Sequence, residues 1–135
     1  QVDNKFVSIN AALAAFETEM KAQGVWQDTV LLTSSDFGRT YASNGAGTDH
    51  AWGGNYFAMG GAVNGSQLFG EFPSSFVETS DVVLSRNGRL LPTTPWEAVW
   101  YGVAEWFGVD AASMAEVLPN YGNFPASSML SHITV

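Results

Sequence analysis

The chain has 135 residues, 46% of them apolar and 13% aromatic, enough for one packed domain but small for a multi-layer α/β enzyme. Thirteen acids against five bases give a net charge of −8, which argues against nucleic acid and anionic membranes as partners. There is no cysteine for disulfide or thiol chemistry, and no apolar run approaches the ~18 residues of a transmembrane helix.

Residues 4–23 carry Phe6, Ile9, Leu13, Phe16 and Met20 at steps of three and four, the stripe of an amphipathic helix. Asp3 or Asn4 can cap its start, and Gly24 can stop it in the left-handed conformation. Residues 29–34 (TVLLTS) form a nearly continuous apolar run, which predicts a strand covered on both faces, as in a parallel sheet. Residues 38–65 hold eight glycines and read as loop, with a short strand at 55–59 (NYFAM); residues 67–69 suggest another very short one. Residues 81–85 and 89–93 flank Asn87-Gly88, a strong two-residue turn signal, and predict a surface β-hairpin.

The last long helix is expected to start at TTPWE, with Thr94 as N-cap, Pro95 at the first helical position and Glu97 completing a capping box. Trp96, Val99, Trp100, Val103 and Phe107 would be its apolar side, read as core or interface, and Gly108 its end. Asp110 then caps a short helix through Val117, and the tail from Asn120 is irregular. Only 13% of the residues are charged, where about a quarter is usual. Surface is therefore expected to be buried against the rest of a longer polypeptide or against sister subunits. The first residue is Gln1 rather than Met, which reads as a processed or truncated start.

Two polar groups interrupt the apolar pattern. Asp36 follows the 29–34 strand and could bind a hard cation, with Arg39 holding a phosphate or sulfate in its planar fork. Equally, Asp36 could be a turn aspartate accepting backbone N–H bonds, with Arg39 as its ion-pair partner. His50 lies beside Asp49 in a glycine-rich stretch, a setting suited to zinc or iron ligation with Asp49 as ligand or orienter. It could also be a loop histidine bonded to backbone. Two ligands fall short of the three that zinc requires from protein. His132 has no such companions and reads as a surface or packing histidine, and Trp52 and Tyr56 read as core packing or pocket wall. No GxSxG elbow and no nucleotide P-loop is present.

TVLLTSSDFGRT, GTDHAWGGNYFAMGGAV, GSQLFG and a TPWE helix closing on WFGVD occur in that order between Asn4 and Leu118. This set resembles the C-terminal part of an exported, bacterial-type domain-of-unknown-function family, DUF1501, placed in the alkaline phosphatase/sulfatase superfamily. The resemblance implies an α/β fold: part of an alkaline phosphatase-like sandwich, with a mixed, mostly parallel sheet flanked by helices. The 135 residues would be a single domain or the C-terminal segment of a larger one. It further implies a two-metal centre at the strand ends that hydrolyses phosphate or sulfate esters, with divalent metal (zinc or similar) bound in the full-length protein. Asp36 and His50 fall at metal-ligand positions, Asp49 behind them and Arg39 at the anion. Where the superfamily usually has a histidine after the acid, this chain has Phe37. The nucleophile and the first metal acids belong to an N-terminal half that would precede Gln1, so the segment is expected to be inactive alone. The resemblance also implies export to the periplasm or beyond the cell. The alternative is a non-catalytic structural or self-assembling subunit derived from that fold.

Overall fold

The computed structural model describes residues 2–77, 80–84 and 87–134. A long first helix, α1 (Val2–Ala22), leads through a 3-10 turn (Trp26–Asp28) to the short strand β1 (Leu31–Leu32). The chain continues through β2 (Gly38–Ser43), β3 (Thr48–Ala51) and β4 (Ala58–Met59) to α2 (Trp96–Trp106) and the single turn α3 (Met114–Val117). Two further 3-10 turns, Tyr121–Asn123 and Ala126–Ser128, precede the extended C-terminal segment. The molecule is mixed α/β.

Both long helices end where their glycines allow. Gly24 has φ 74° and Gly108 φ 92°. Val25 N–H reaches the Met20 carbonyl (3.0 Å) and Gly24 N–H that of Lys21 (3.1 Å). Val109 and Gly108 repeat the pattern on Ala104 and Glu105 (both 3.0 Å). These are paired Schellman bonds, in which a left-handed residue lets its own amide and the next one fold back on the last open carbonyls.

The start of α2 differs from expectation. Pro95 occupies the N-cap with extended backbone, and no side chain caps the helix. The Thr94 side chain instead packs against Gly70, and Thr93 Oγ1 donates to the Glu71 carbonyl (2.6 Å). The capping box is lost because both threonines tie the 70–71 loop to the helix.

The expected mostly parallel sheet is not what forms. Among the described residues β1 pairs antiparallel with β4 (Leu31 opposite Met59), and β2 antiparallel with β3. A parallel neighbour needs a crossover that returns the chain to its starting end. Here the connection from β1 to β4 is taken up by the β2–β3 hairpin, which reverses the chain instead. Leu31 and Leu32 are accordingly half-buried rather than covered on both faces. The predicted strand at 67–69 is absent. The surface hairpin is present in reduced form: Val83 bridges Leu90, Leu84 N–H donates to the Arg89 carbonyl and Leu91 N–H to that of Val82 (both 2.8 Å). The predicted turn residues Asn87 and Gly88 are described, Gly88 with φ 69°, while residues 85–86 of the predicted hairpin lie outside the described residues.

The core gathers on α2. Ala98, Met129, Leu130 and Ile133 form its buried centre, with Phe69, Val99, Tyr101 and Tyr121 packed around them. The most deeply buried residues of α2 are small ones, Ala98, Gly102 and Ala104, whereas the large apolar residues that periodicity predicts to be inside are only partly covered. The C-terminal segment crosses this helix closely enough for Leu130 N–H to donate to the Ala98 carbonyl (3.1 Å). A Cβ on Gly102 would strike the Leu130 carbonyl. Close backbone approach selects small residues here; of the large ones Trp96, Val99 and Val103 are half-buried, while Trp100 and Phe107 are exposed, Phe107 at 79%. The segment is then pinned to Val63 by a bridge from Thr134 and an Asn64 N–H bond to the Ile133 carbonyl (2.9 Å).

Candidate functional site

The two motifs that sequence reading placed in a loop form one hairpin. Along β2, burial alternates: Gly38 and Thr40 are inward, Arg39 and Tyr41 outward. Arg39 lies directly opposite His50, Gly38 opposite Ala51 and Ser43 opposite Thr48, with an irregularity between. Directly opposed residues share a face of an antiparallel pair, and neighbours along a strand alternate faces. Arg39 and His50 therefore sit together on the exposed face, and Asp49 is directed to the other.

Each side chain has a definite setting. The His50 ring stacks on Phe37 at 3.7 Å between centroids, with an interplanar angle of 16°. The Arg39 guanidinium carbon lies 5.0 Å from the centroid of the same phenyl ring, and Nη1 donates to the Thr48 carbonyl (2.8 Å). Asp49 Oδ1 accepts from Asn44 Nδ2 (2.7 Å), and Asp49 N–H donates to Thr40 Oγ1 (3.0 Å). Buried Thr40 in turn donates to the Ala42 carbonyl (3.0 Å), so its hydroxyl bonds in both directions inside the hairpin. Asp36 is exposed just before β2. Among the described residues Asp36 forms no ion pair with Arg39 or any other base.

The structure thus brings Arg39 and His50 together around Phe37. It gives Asp49 to Asn44 instead of to the imidazole. The phenyl ring occupies one face of His50, and the ring nitrogens lie at the edge, which stacking leaves open. Gly38 serves chain crossing, since a Cβ there would collide with the Gly53 carbonyl, whereas Gly45 and Gly47 in the hairpin turn stand in open space. Among the described residues no three His, Cys, Asp or Glu side chains gather into a metal-binding group.

A family model for proteins of unknown function, DUF1501, matches residues 1–87 of the chain, which include both motifs of the hairpin. The chain belongs to the DUF1501 family. The match ends before the TPWE helix, so that part of the sequence resemblance lies outside it. No curated protein and no solved structure matches the chain.

A second feature of this DUF1501 chain was legible only at Trp52 and Tyr56, which the sequence allowed as pocket wall. A cavity of 590 Å³ opens between α2, the β1–β4 pair and the 64–72 loop, walled by Trp52, Tyr56, Phe72, Trp96 and Val99. The Tyr56 and Trp96 rings meet at 4.7 Å. Trp52 is 70% exposed, so it lines the cavity mouth instead of packing in the core. Neither Asp36 nor His50 lines this space. The remaining histidine, His132, is exposed and lies against Phe69 at 5.2 Å, a packing position as expected. No helix is long and apolar enough to cross a membrane among the described residues.

Proposed function

We propose that this DUF1501 chain is the C-terminal segment of an exported, alkaline phosphatase-like or sulfatase-like hydrolase of phosphate or sulfate esters. Asp36 and His50 would contribute two ligands to a divalent metal, zinc or similar. Asp49 would steady the strand behind them, and Arg39 would contact the ester anion. The observation that carries this reading is the hairpin register, which sets Arg39 opposite His50 on an exposed face with Asp36 just before the strand.

Zinc needs at least three protein ligands, and the described residues do not gather that many. They do not make a metal site by themselves, so no metal-dependent step is assigned to them. The proposal places the other ligands and the nucleophile on polypeptide outside this segment. The chain's own part is to hold the imidazole rigid against Phe37 and to present cationic N–H groups that suit a planar pair of anionic oxygens.

The test is metal analysis of the natural polypeptide, with hydrolysis of p-nitrophenyl phosphate and p-nitrophenyl sulfate measured in parallel. Bound transition metal is expected in the wild type, with both metal and hydrolysis lost in Asp36→Ala and His50→Ala. A metal-free wild type overturns the reading.

The second reading is an assembly subunit without catalysis. It is favoured by the apolar surface, on which Phe6, Leu68 and Phe107 are each more than 60% exposed. A metal-free but self-associating polypeptide would decide for it.

A further inference from the structure

From Asp3 to Ala22 no residue of α1 is buried, and the helix meets the rest of the chain at the Trp26–Asp28 turn. Phe6 is 63% exposed and Ile9 46%, while Leu13, Phe16 and Met20 are half-buried. These five residues recur at alternating steps of three and four. That is the strict two-in-seven spacing of a coiled-coil seam, narrower than the stripe of a helix lying on a globular core. Phe6, Leu13 and Met20 take the a positions, Ile9 and Phe16 the d positions.

The residues flanking this seam specify its partner. In the g positions stand Lys5, Ala12 and Glu19, and in the e positions Asn10 and Glu17. Among the described residues Lys5 has no ion-pair partner, whereas Glu17 is held by Lys21 at 2.6 Å. In an antiparallel pair each a residue packs against a d residue and g faces g. Setting Phe6 against Phe16 of a second copy, and Ile9 against Leu13, closes four layers symmetrically. The same register brings Lys5 opposite Glu19 twice and Ala12 opposite Ala12 at the two-fold axis. On the other flank Asn10 faces its own copy, and Asp3 approaches Glu17, whose charge is already met by Lys21. A parallel pair would set g against the next e and match Lys5 with Asn10 and Ala12 with Glu17, leaving no opposite charges together.

We propose that α1 is a self-association element, and that its occupant is a second copy of this chain joined as an antiparallel two-stranded coiled coil in this register. Closed two-fold contacts are the commonest form of self-association, and this face is self-complementary as such contacts require.

Sedimentation of the 135-residue chain and of two charge reversals tests the proposal. Lys5→Glu and Glu19→Lys each turn both ion pairs into repulsions, so each is expected to weaken association about tenfold or more. Both substitutions suit the helix dipole, an acid near the N-terminus and a base near the C-terminus. Unchanged far-ultraviolet circular dichroism will therefore accompany weaker association. An equimolar mixture of the two variants restores both pairs in an antiparallel heterodimer, and association returns to the wild-type level. A chain that stays monomeric at about 100 μM, where any dimer with Kd of about 10 μM or less would form, overturns the proposal. So does association indifferent to both reversals, or a mixture that fails to recover.

Discussion

Thr40 shows how a single hydroxyl can hold a turn of structure together. It is 3% exposed, yet its hydroxyl oxygen accepts from Asp49 N–H while its O–H donates to the Ala42 carbonyl. Thr40→Val keeps the shape and leaves that amide and carbonyl without this partner. A loss of about 1–3 kcal/mol is expected, measured by urea unfolding, together with loss of ordered His50–Phe37 stacking by ring-current shifts. Asp110 acts in the open. Ser113 N–H donates to its Oδ1 (2.8 Å), and this bond to the charged form holds its carboxyl below the usual carboxylate range. A carboxylate depressed on folding stabilises the fold above its unfolded pKa, and that contribution fades as pH falls through the folded value. Melting temperature should therefore decline on acidification below about pH 4, and Asp110→Ala should lower it at pH 7 while flattening that part of the acid slope. Asp36 and Arg39, by contrast, do not form the turn ion pair that the tetrapeptide alone permits.

At the scale of elements, helices were more legible than strands. The spacing of Phe6 to Met20 and the positions of Gly24 and Gly108 located α1 and the end of α2, because a 3.6-residue period and a left-handed terminus are local properties. The β2–β3 hairpin was hidden by its glycines. A usable signal existed: Asn44-Gly45 lies between GRTYAS and TDHA, and Gly45 has φ 90°, as turn chemistry favours. Glycine count alone cannot distinguish a ligand-binding loop from strands that must cross other backbone closely.

The burial of α2 follows its periodicity only in part, for a related reason. Periodicity reports which residues are apolar, whereas burial on this helix was decided by how near the segment at 129–133 passes. Gly102→Ala puts a methyl group into the Leu130 carbonyl. It is expected to destabilise by about 1–3 kcal/mol despite its favourable effect on helix propensity, as read by chemical denaturation.

For the molecule as a whole, the buried apolar side chains among the described residues are few, and about half of them are alanines. Ala51, Ala62, Ala98 and Ala104 are among them, and Met114 is the large side chain that is fully enclosed. Much of the aromatic content instead borders the 590 Å³ cavity or faces outward. An apolar cavity of this size is in the range that accepts small ligands. The native chain should accordingly enhance the fluorescence of 1-anilinonaphthalene-8-sulfonate before any unfolding, and Trp96→Ala should reduce the effect.

Composition anticipated this surface, because a chain with 13% charged residues lacks the polar side chains to cover itself. Local pattern likewise carried the helices, their ends, the candidate residues Asp36, Arg39, Asp49 and His50, and the motifs by which the family was recognised. Which strands pair, which face of α2 is inside, and which side chains meet around Phe37 depend on contacts between residues distant in sequence. Those contacts are set by backbone approach and strand register. A periodicity of two or 3.6 residues contains neither, so Arg39 came to lie opposite His50, and Asp49 beside Asn44, through folding in three dimensions.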